Sequence, residues 1–174
     1  VIIIGGGITG LSCAYYLTGA GKSVLLLERG DLGEGASTSC DDMIFLQSKK
    51  PGILLTIALE SLEMYRRLEK DLPVDIEFES RGGMVLIESE NQLGHMKEFV
   101  RQQKALNWDV ELLDKAQVRE RAPMVSKHVL ASTFSPMDSQ VNPLRVMRGF
   151  VKVAKSRGLE IKQHCGVTAL ETPS

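Results

Sequence analysis

The sequence opens on Val1-Ile2-Ile3-Ile4-Gly5-Gly6-Gly7-Ile8-Thr9-Gly10, and no other stretch constrains the chain as much. A short run of β-branched apolar residues has the pattern of a strand buried on both faces. It breaks at Gly5-x-Gly7-x-x-Gly10 and passes into the helical pattern Leu11-Ser12-Cys13-Ala14-Tyr15-Tyr16-Leu17. A second apolar run, Val24-Leu25-Leu26-Leu27, ends on Glu28. Strand, glycine turn, helix, second strand and terminal acid arrive in the order that a dinucleotide site needs. Gly5 permits the tight turn, Gly7 lets a pyrophosphate approach the backbone, and Gly10 lets the helix lie close to the strand. The helix then points its positive N-terminus at the phosphates. Glu28 accepts hydrogen bonds from the adenosine ribose hydroxyls, and its charge repels a 2′-phosphate. The segment predicts binding of FAD or NAD.

Composition mainly excludes. Hydrophobic residues make up 43% of the chain and charged residues 25%, close to the average for soluble proteins. A formal net charge of −1 gives no reason to expect nucleic acid. No apolar run approaches the roughly twenty residues of a membrane-spanning helix, and no signal peptide is visible, so a cytoplasmic location is expected. Cys13, Cys40 and Cys165 lack Cys-x-x-Cys spacing and read as reduced thiols. His95, His128 and His164 share no ligand spacing, and no metal site is predicted. The chain starts inside a strand, without an initiator Met, and runs out after a strand-like segment. That predicts a piece of a longer protein, although 174 residues can still bury a sizeable core.

Further along, Arg29 to Ser39 is a loop rich in glycine and hydroxyl groups, suited to an anion or a cofactor edge. Pro51 and Gly52 precede a helix whose Leu55, Leu59, Leu62, Tyr65 and Leu68 form a core stripe. Asp75 to Glu79 alternates with period two and reads as a strand, as does Met84 to Ile87 after Gly82-Gly83. Residues 90–107 read as a helix with Leu93, Met96, Phe99 and Val100 on one face. Val110 to Leu113 is a short strand, and Asp114-x-x-Gln117 resembles a capping box before a helix that stops ahead of Pro123. Val129 to Phe134 is another strand. Pro143 opens a helix that ends at Lys155, Arg157 and Gly158. Leu159 to Ile161 and Val167 to Leu170 read as closing strands. Lys49-Lys50 reads as solvated. The layout is a dinucleotide-binding fold with an antiparallel-type excursion, to which the chain returns near Asn142.

These residues carry a family resemblance. The chain resembles the D-amino-acid oxidase group of FAD-dependent oxidoreductases, in its glycine oxidase, sarcosine oxidase and D-amino acid dehydrogenase branch. The resemblance runs nearly end to end. It rests on Gly5-Gly6-Gly7-Ile8-x-Gly10, Ala14-Tyr15-Tyr16-Leu17, Glu28 with Gly35-Ala36-Ser37, and Arg81-Gly82-Gly83-Met84. It rests also on Leu112-Leu113-Asp114, Arg121-Ala122-Pro123 and Asp138-x-x-Val141-Asn142-Pro143. It implies an α/β, Rossmann-like FAD-binding fold with a parallel central sheet, interrupted by part of an antiparallel-sheet substrate domain. Residues 1–74 would be the first part of the FAD-binding domain, 75–136 part of the substrate-binding domain, and 137–174 the return.

The resemblance further implies that the backbone at Ile8 and Thr9 holds the FAD diphosphate, with Glu28 and Arg29 flanking the adenosine. Ala36 and Ser37 would line the diphosphate side of the loop. Asp41, Asp42 and Met43 would pass close to the isoalloxazine ring, and Val167 would meet the adenine through its main chain. The implied chemistry is oxidation of a small amine or amino acid by hydride transfer from the α-carbon to flavin N5, giving an imine. Members of the group are roughly twice this long, so the carboxylate-binding Arg would lie downstream and no catalytic residue is assigned. Asp42 stands where the family usually has Gly or another small neutral residue. Its carboxylate either faces the ring, lowering the flavin potential, or points into solvent. Two other function classes stay open: a nicotinamide-dependent dehydrogenase, and a non-catalytic flavin-binding subunit of a larger complex. The substrate among glycine, sarcosine, proline-like and D-amino acids stays open too. So do the acceptor (oxygen, quinone or a partner subunit) and an oligomeric state.

Overall fold

In the computed structural model, which describes residues 1–106 and 108–171, the opening run forms strand β1 (Ile2–Ile4). Helix α1 (Ile8–Gly19) and strand β2 (Leu25–Leu27) follow. β1 pairs in parallel with β2, which pairs in parallel with β8 (Glu160–Lys162), giving the order β1-β2-β8. The register aligns Ile3 with Leu26 and Leu26 with Ile161. Only β2 is central. Ile2 and Ile4, which share one face of β1, are 64% and 55% exposed, while Ile3 on the other face is half-buried. This corrects the expectation of a strand buried on both faces: nothing among the described residues covers the face that Ile2 and Ile4 present.

The chain divides into two compact units. One comprises residues 1–42, 65–78 and 141–174; the other comprises residues 43–64 and 79–140. Helix α2 (Ile53–Asp71) contributes residues to both. Its Leu55, Leu62 and Leu68 are buried, with Leu59 and Tyr65 half-buried, so the helical stripe is core.

The first unit packs α1 against helix α5 (Pro143–Ser156), with the Tyr15 and Phe150 ring centroids 5.0 Å apart. Leu11, Ala14, Leu26, Val146, Phe150, Ala154 and Leu159 are buried here. Asn142 caps α5 by accepting from the Arg145 N–H, and Pro143 fills the first helical turn, where no N–H is needed. The predicted strand at Asp75–Glu79 is reduced to a single antiparallel bridge, Glu79 with Gln140. Asp75 turns back to accept the Glu77 N–H at 2.8 Å, and Glu77 adopts a left-handed backbone (φ 55°). That local bond competes with a ladder. The predicted strand at Val167–Leu170 is absent; these residues belong to no sheet.

The second unit is built on an antiparallel sheet of order β4-β6-β5, from β4 (Gly83–Ile87), β5 (Glu111–Asp114) and β6 (Ala131–Ser135). Helix α3 (Glu90–Lys104) starts on Ser89, whose hydroxyl accepts the Gln92 N–H. It ends before the predicted residue 107, which lies outside the described residues. Helix α4 (Lys115–Arg121) carries the expected capping box: Asp114 accepts from Ala116 and Gln117, and Gln117 accepts from Asp114. Leu113, Val118 and Val129 form a buried cluster against Met84, Val125 and Phe134. A two-residue pairing that the sequence did not announce, β3 (Met43–Ile44) with β7 (Ser139–Gln140), completes the unit.

Candidate functional site

The candidate cofactor site belongs to the first unit and is built where β1 turns into α1. Gly5 takes φ +102°, a conformation closed to most side chains. A Cβ on Gly10 would lie 2.0 Å from the Gly5 carbonyl oxygen, so this glycine sets the close approach of helix to strand. A Cβ on Gly7 would lie 3.0 Å from Ser37 Oγ. Gly7 is the N-cap of α1 and supplies no capping side chain, which leaves the first-turn amides to be satisfied by other groups.

One of those groups is already in place. The Ile8 N–H donates to Ser37 Oγ at 3.0 Å, across the loop from residue 29 to residue 39. The fold therefore brings together Gly7, Ile8 and Ser37, three residues predicted to flank the diphosphate. A phosphate oxygen on the Ile8 amide would have to replace or share the serine. Thr9 and Ala36 lie on the same helix start and the same loop.

Glu28 directly follows β2, and its carboxylate closes the turn. Oε2 accepts from the Gly6 N–H at 2.6 Å and Oε1 from the Gly30 N–H at 2.9 Å. These donors, Gly30 first and then Gly6, hold its carboxyl below the ordinary glutamate range, so it is an anion at neutral pH. Each carboxylate oxygen has capacity for a further donor, and a pair of ribose hydroxyls is such a donor set. In front of Glu28 lies a cavity of about 400 Å³ lined by Gly5, Glu28, Arg29, Glu34, Gly166 and Val167, among others. The size is that of a small-ligand pocket. Val167 thus lines one cavity with Glu28 and Arg29, although it is in no strand. The Cys165 N–H donates to the Glu28 carbonyl at 2.8 Å, which ties this segment to the end of β2. Sequence reasoning missed Glu34, Cys165 and Gly166 as part of this wall. No local pattern marks them.

Asp41 and Asp42 are exposed and end the first unit's opening segment. Asp42 has a left-handed backbone (φ 63°), and its Oδ1 lies 3.8 Å from the Cys40 thiol. A left-handed position gives a physical reason for a glycine there, and Asp is among the side chains that tolerate it. Met43 opens β3 in the second unit and is 43% exposed. The cradle fits a dinucleotide: glycines where a side chain would intrude, an anionic acid beside a cavity, and a helix start without a side-chain cap.

The comparisons agree. The sequence matches the family described as FAD dependent oxidoreductase over residues 1–173. It is 32% identical to glycine oxidase of Bacillus licheniformis, covering 98% of this chain and 47% of that protein. It is 30% identical to the sarcosine oxidase beta subunit of an Arthrobacter species, covering 97% and 43%. The fold superposes on the crystal structure of glycine oxidase from Geobacillus kaustophilus with a TM-score of 0.89 at 23% identity, covering 94% of this chain and 46% of that one. The chain spans about half the length of the curated relatives it matches. The mixed α/β fold, the turn and the sequence match lead to one assignment: the chain belongs to the FAD-dependent oxidoreductase family.

Proposed function

We propose that the protein carrying this chain oxidises a small amine or amino acid with FAD. Support comes from relatives named for glycine and sarcosine oxidation. The observation that carries the reading is the Glu28 carboxylate, fixed by Gly6 and Gly30 at the mouth of a cavity open to an adenosine. The first unit would form part of the FAD-binding domain and the second part of the substrate domain. When bound, FAD supplies the two-electron acceptor for a C–H bond next to nitrogen.

The chain's own residues bind and orient. Glu28 would accept the ribose hydroxyls, with Arg29 and the Val167 main chain flanking the adenosine. Gly7 would leave the backbone open to the diphosphate, while Gly5 makes the tight turn and Gly10 lets the helix lie close to the strand. The Ile8 and Thr9 amides, with Ala36 and Ser37 opposite, would hold it at the positive end of α1. Asp41, Asp42 and Met43 would run beside the isoalloxazine.

The test uses the full-length protein. As purified, it is expected to show a flavin absorbance spectrum. Under air or with an artificial electron acceptor, it should turn over at least one of glycine, sarcosine, proline and the D-amino acids. Gly7→Val should abolish FAD binding. A variant that holds FAD as tightly as the parent would refute the cradle, and a flavoprotein inert toward every amine tried would refute the activity.

A further inference from the structure

Asp138 opens the Asp138-x-x-Val141-Asn142-Pro143 motif, yet the cofactor cradle makes no use of it. Its side chain is fully buried in the second unit. Oδ1 accepts from the backbone N–H of Leu46 at 2.7 Å and of Gln47 at 3.2 Å, and Oδ2 accepts from Gln47 Nε2 at 2.6 Å. Gln47 extends the network. Its Nε2 also donates to the Gly83 carbonyl at 2.9 Å, and its Oε1 accepts from the Thr133 hydroxyl. Its own carbonyl accepts from Gln103 Nε2 at 3.0 Å. Asp138 thereby holds the residues just after β3, and Gln47 in turn ties them to β4, β6 and α3.

Burying a carboxylate is costly unless its hydrogen bonds are made, so this arrangement must hold something that cheaper contacts do not. The pairing of β3 with β7 is only two residues long, Met43 with Gln140 and Ile44 with Ser139. A ladder that short specifies its own register weakly. Asp138 stands directly before β7 and grips the chain directly after β3. It adds a side-chain constraint to this short ladder, which backbone bonds from Val141 to the Asp42 carbonyl and between Glu79 and Gln140 also help to hold.

We propose that Asp138 is a positioning residue for the flavin environment: by clamping Leu46 and Gln47 it sets the register of β3 on β7 and so fixes Met43. This rests on the reading above that Met43 lies beside the isoalloxazine. The carboxylate is better than its amide because every donor facing it is an N–H. Asp138→Asn presents an NH2 group to one of them, and an N–H cannot accept a hydrogen bond.

The full-length protein tests this with two readouts. In the flavin-free protein, tryptic cleavage after Lys49 reports opening of the clamped segment. In the loaded protein, the visible circular dichroism of the bound flavin reports its surroundings. Asp138→Asn should speed cleavage after Lys49 by about tenfold or more, the scale of one lost charge-assisted hydrogen bond, and leave cleavage after Lys127 unchanged. The flavin band should shift. Should Asp138→Asn not fold, Gln47→Ala removes the side-chain half of the network and is judged by the same criteria. Unchanged cleavage after Lys49 overturns the proposal. So does an unmoved flavin band where Met43→Ala moves it. If neither variant moves the band, the reading of Met43 fails and the proposal falls with it, and faster cleavage then reports a clamp of purely structural role.

Discussion

The glycines of the first turn have different jobs, and substitutions separate them. A Cβ on Gly10 would meet the Gly5 carbonyl oxygen at 2.0 Å, a backbone atom that cannot step aside. Gly10→Ala should therefore lower the stability of the flavin-free protein by about 2–3 kcal/mol, an overpacking cost. At Gly7 the neighbour is the Ser37 hydroxyl at 3.0 Å, which can rotate away. Gly7→Ala should cost little stability but weaken FAD binding, and urea unfolding beside a flavin titration checks both. If both variants lost stability alike, the division of roles would be wrong. Glu28 gives a pH-dependent prediction. Its carboxyl titrates below the ordinary glutamate range because Gly30 and Gly6 donate to it. A depressed carboxylate pKa contributes stability that is fully present above the unfolded-state value and lost as pH falls through the folded-state value. Glu28→Gln should thus lower the urea midpoint at pH 7, and the gap should begin to narrow as the pH falls below the unfolded-state value of about 4.3. A gap that persists unchanged at pH 3 would show that the charge is not what the two amides hold. The glycine spacing was legible in the sequence because backbone geometry fixes it within one turn, and the acid because it directly follows the second apolar run. The Ser37 bond to Ile8 was not, because it joins residues that only the folded loop brings together.

At the scale of elements, local signals were read correctly where local chemistry decides. The capping box at Asp114 and Gln117 has both of its reciprocal bonds, and the Pro143 helix starts on Asn142 as its composition suggests. Asp114→Ala should cost about 1 kcal/mol, the usual loss of an N-cap, and a Gln117→Ala background should make the two losses less than additive. Full additivity in denaturant titrations would mean that the box does not act as a unit. Period-two alternation failed at Asp75–Glu79, where the side chain of Asp75 captures the Glu77 amide and the backbone turns left-handed. Alternation records which face a residue could present. It does not record whether the pairing is completed. Residues 140–142 lie alongside, but they join this segment through the Asn142 N–H to the Ile76 carbonyl and the Glu79–Gln140 bridge, not through a ladder. The β3–β7 pairing escaped notice for the opposite reason, since two residues carry no period at all, and the polar groups that fix it are Gln47 and Asp138, distant in sequence.

For the molecule as a whole, the division into two units decides what this chain can bind by itself. Every residue lining the cavity before Glu28 belongs to the first unit, which gathers residues 1–42, 65–78 and 141–174. The adenosine end of the proposed FAD site is therefore formed within one unit, whereas the chain spans only about half the length of its relatives. Ligand binding must offset the lost freedom of the ligand and of the loops that order around it. A ligand presenting only adenosine and phosphates asks for order at Glu28 and the turn, and FAD asks for order at the ring as well. The 174-residue chain should accordingly bind ADP measurably by calorimetry, bind riboflavin 5′-phosphate not at all, and gain little from FAD over ADP. Glu28→Ala should weaken ADP by about tenfold or more, corresponding to roughly 1–3 kcal/mol for a lost charged hydrogen-bond partner. Salt should weaken ADP further, since a diphosphate held at the start of α1 would be open to screening. Riboflavin 5′-phosphate binding as tightly as ADP, or an ADP affinity indifferent to Glu28→Ala, would remove the adenosine from this cavity and with it the assignment of Glu28.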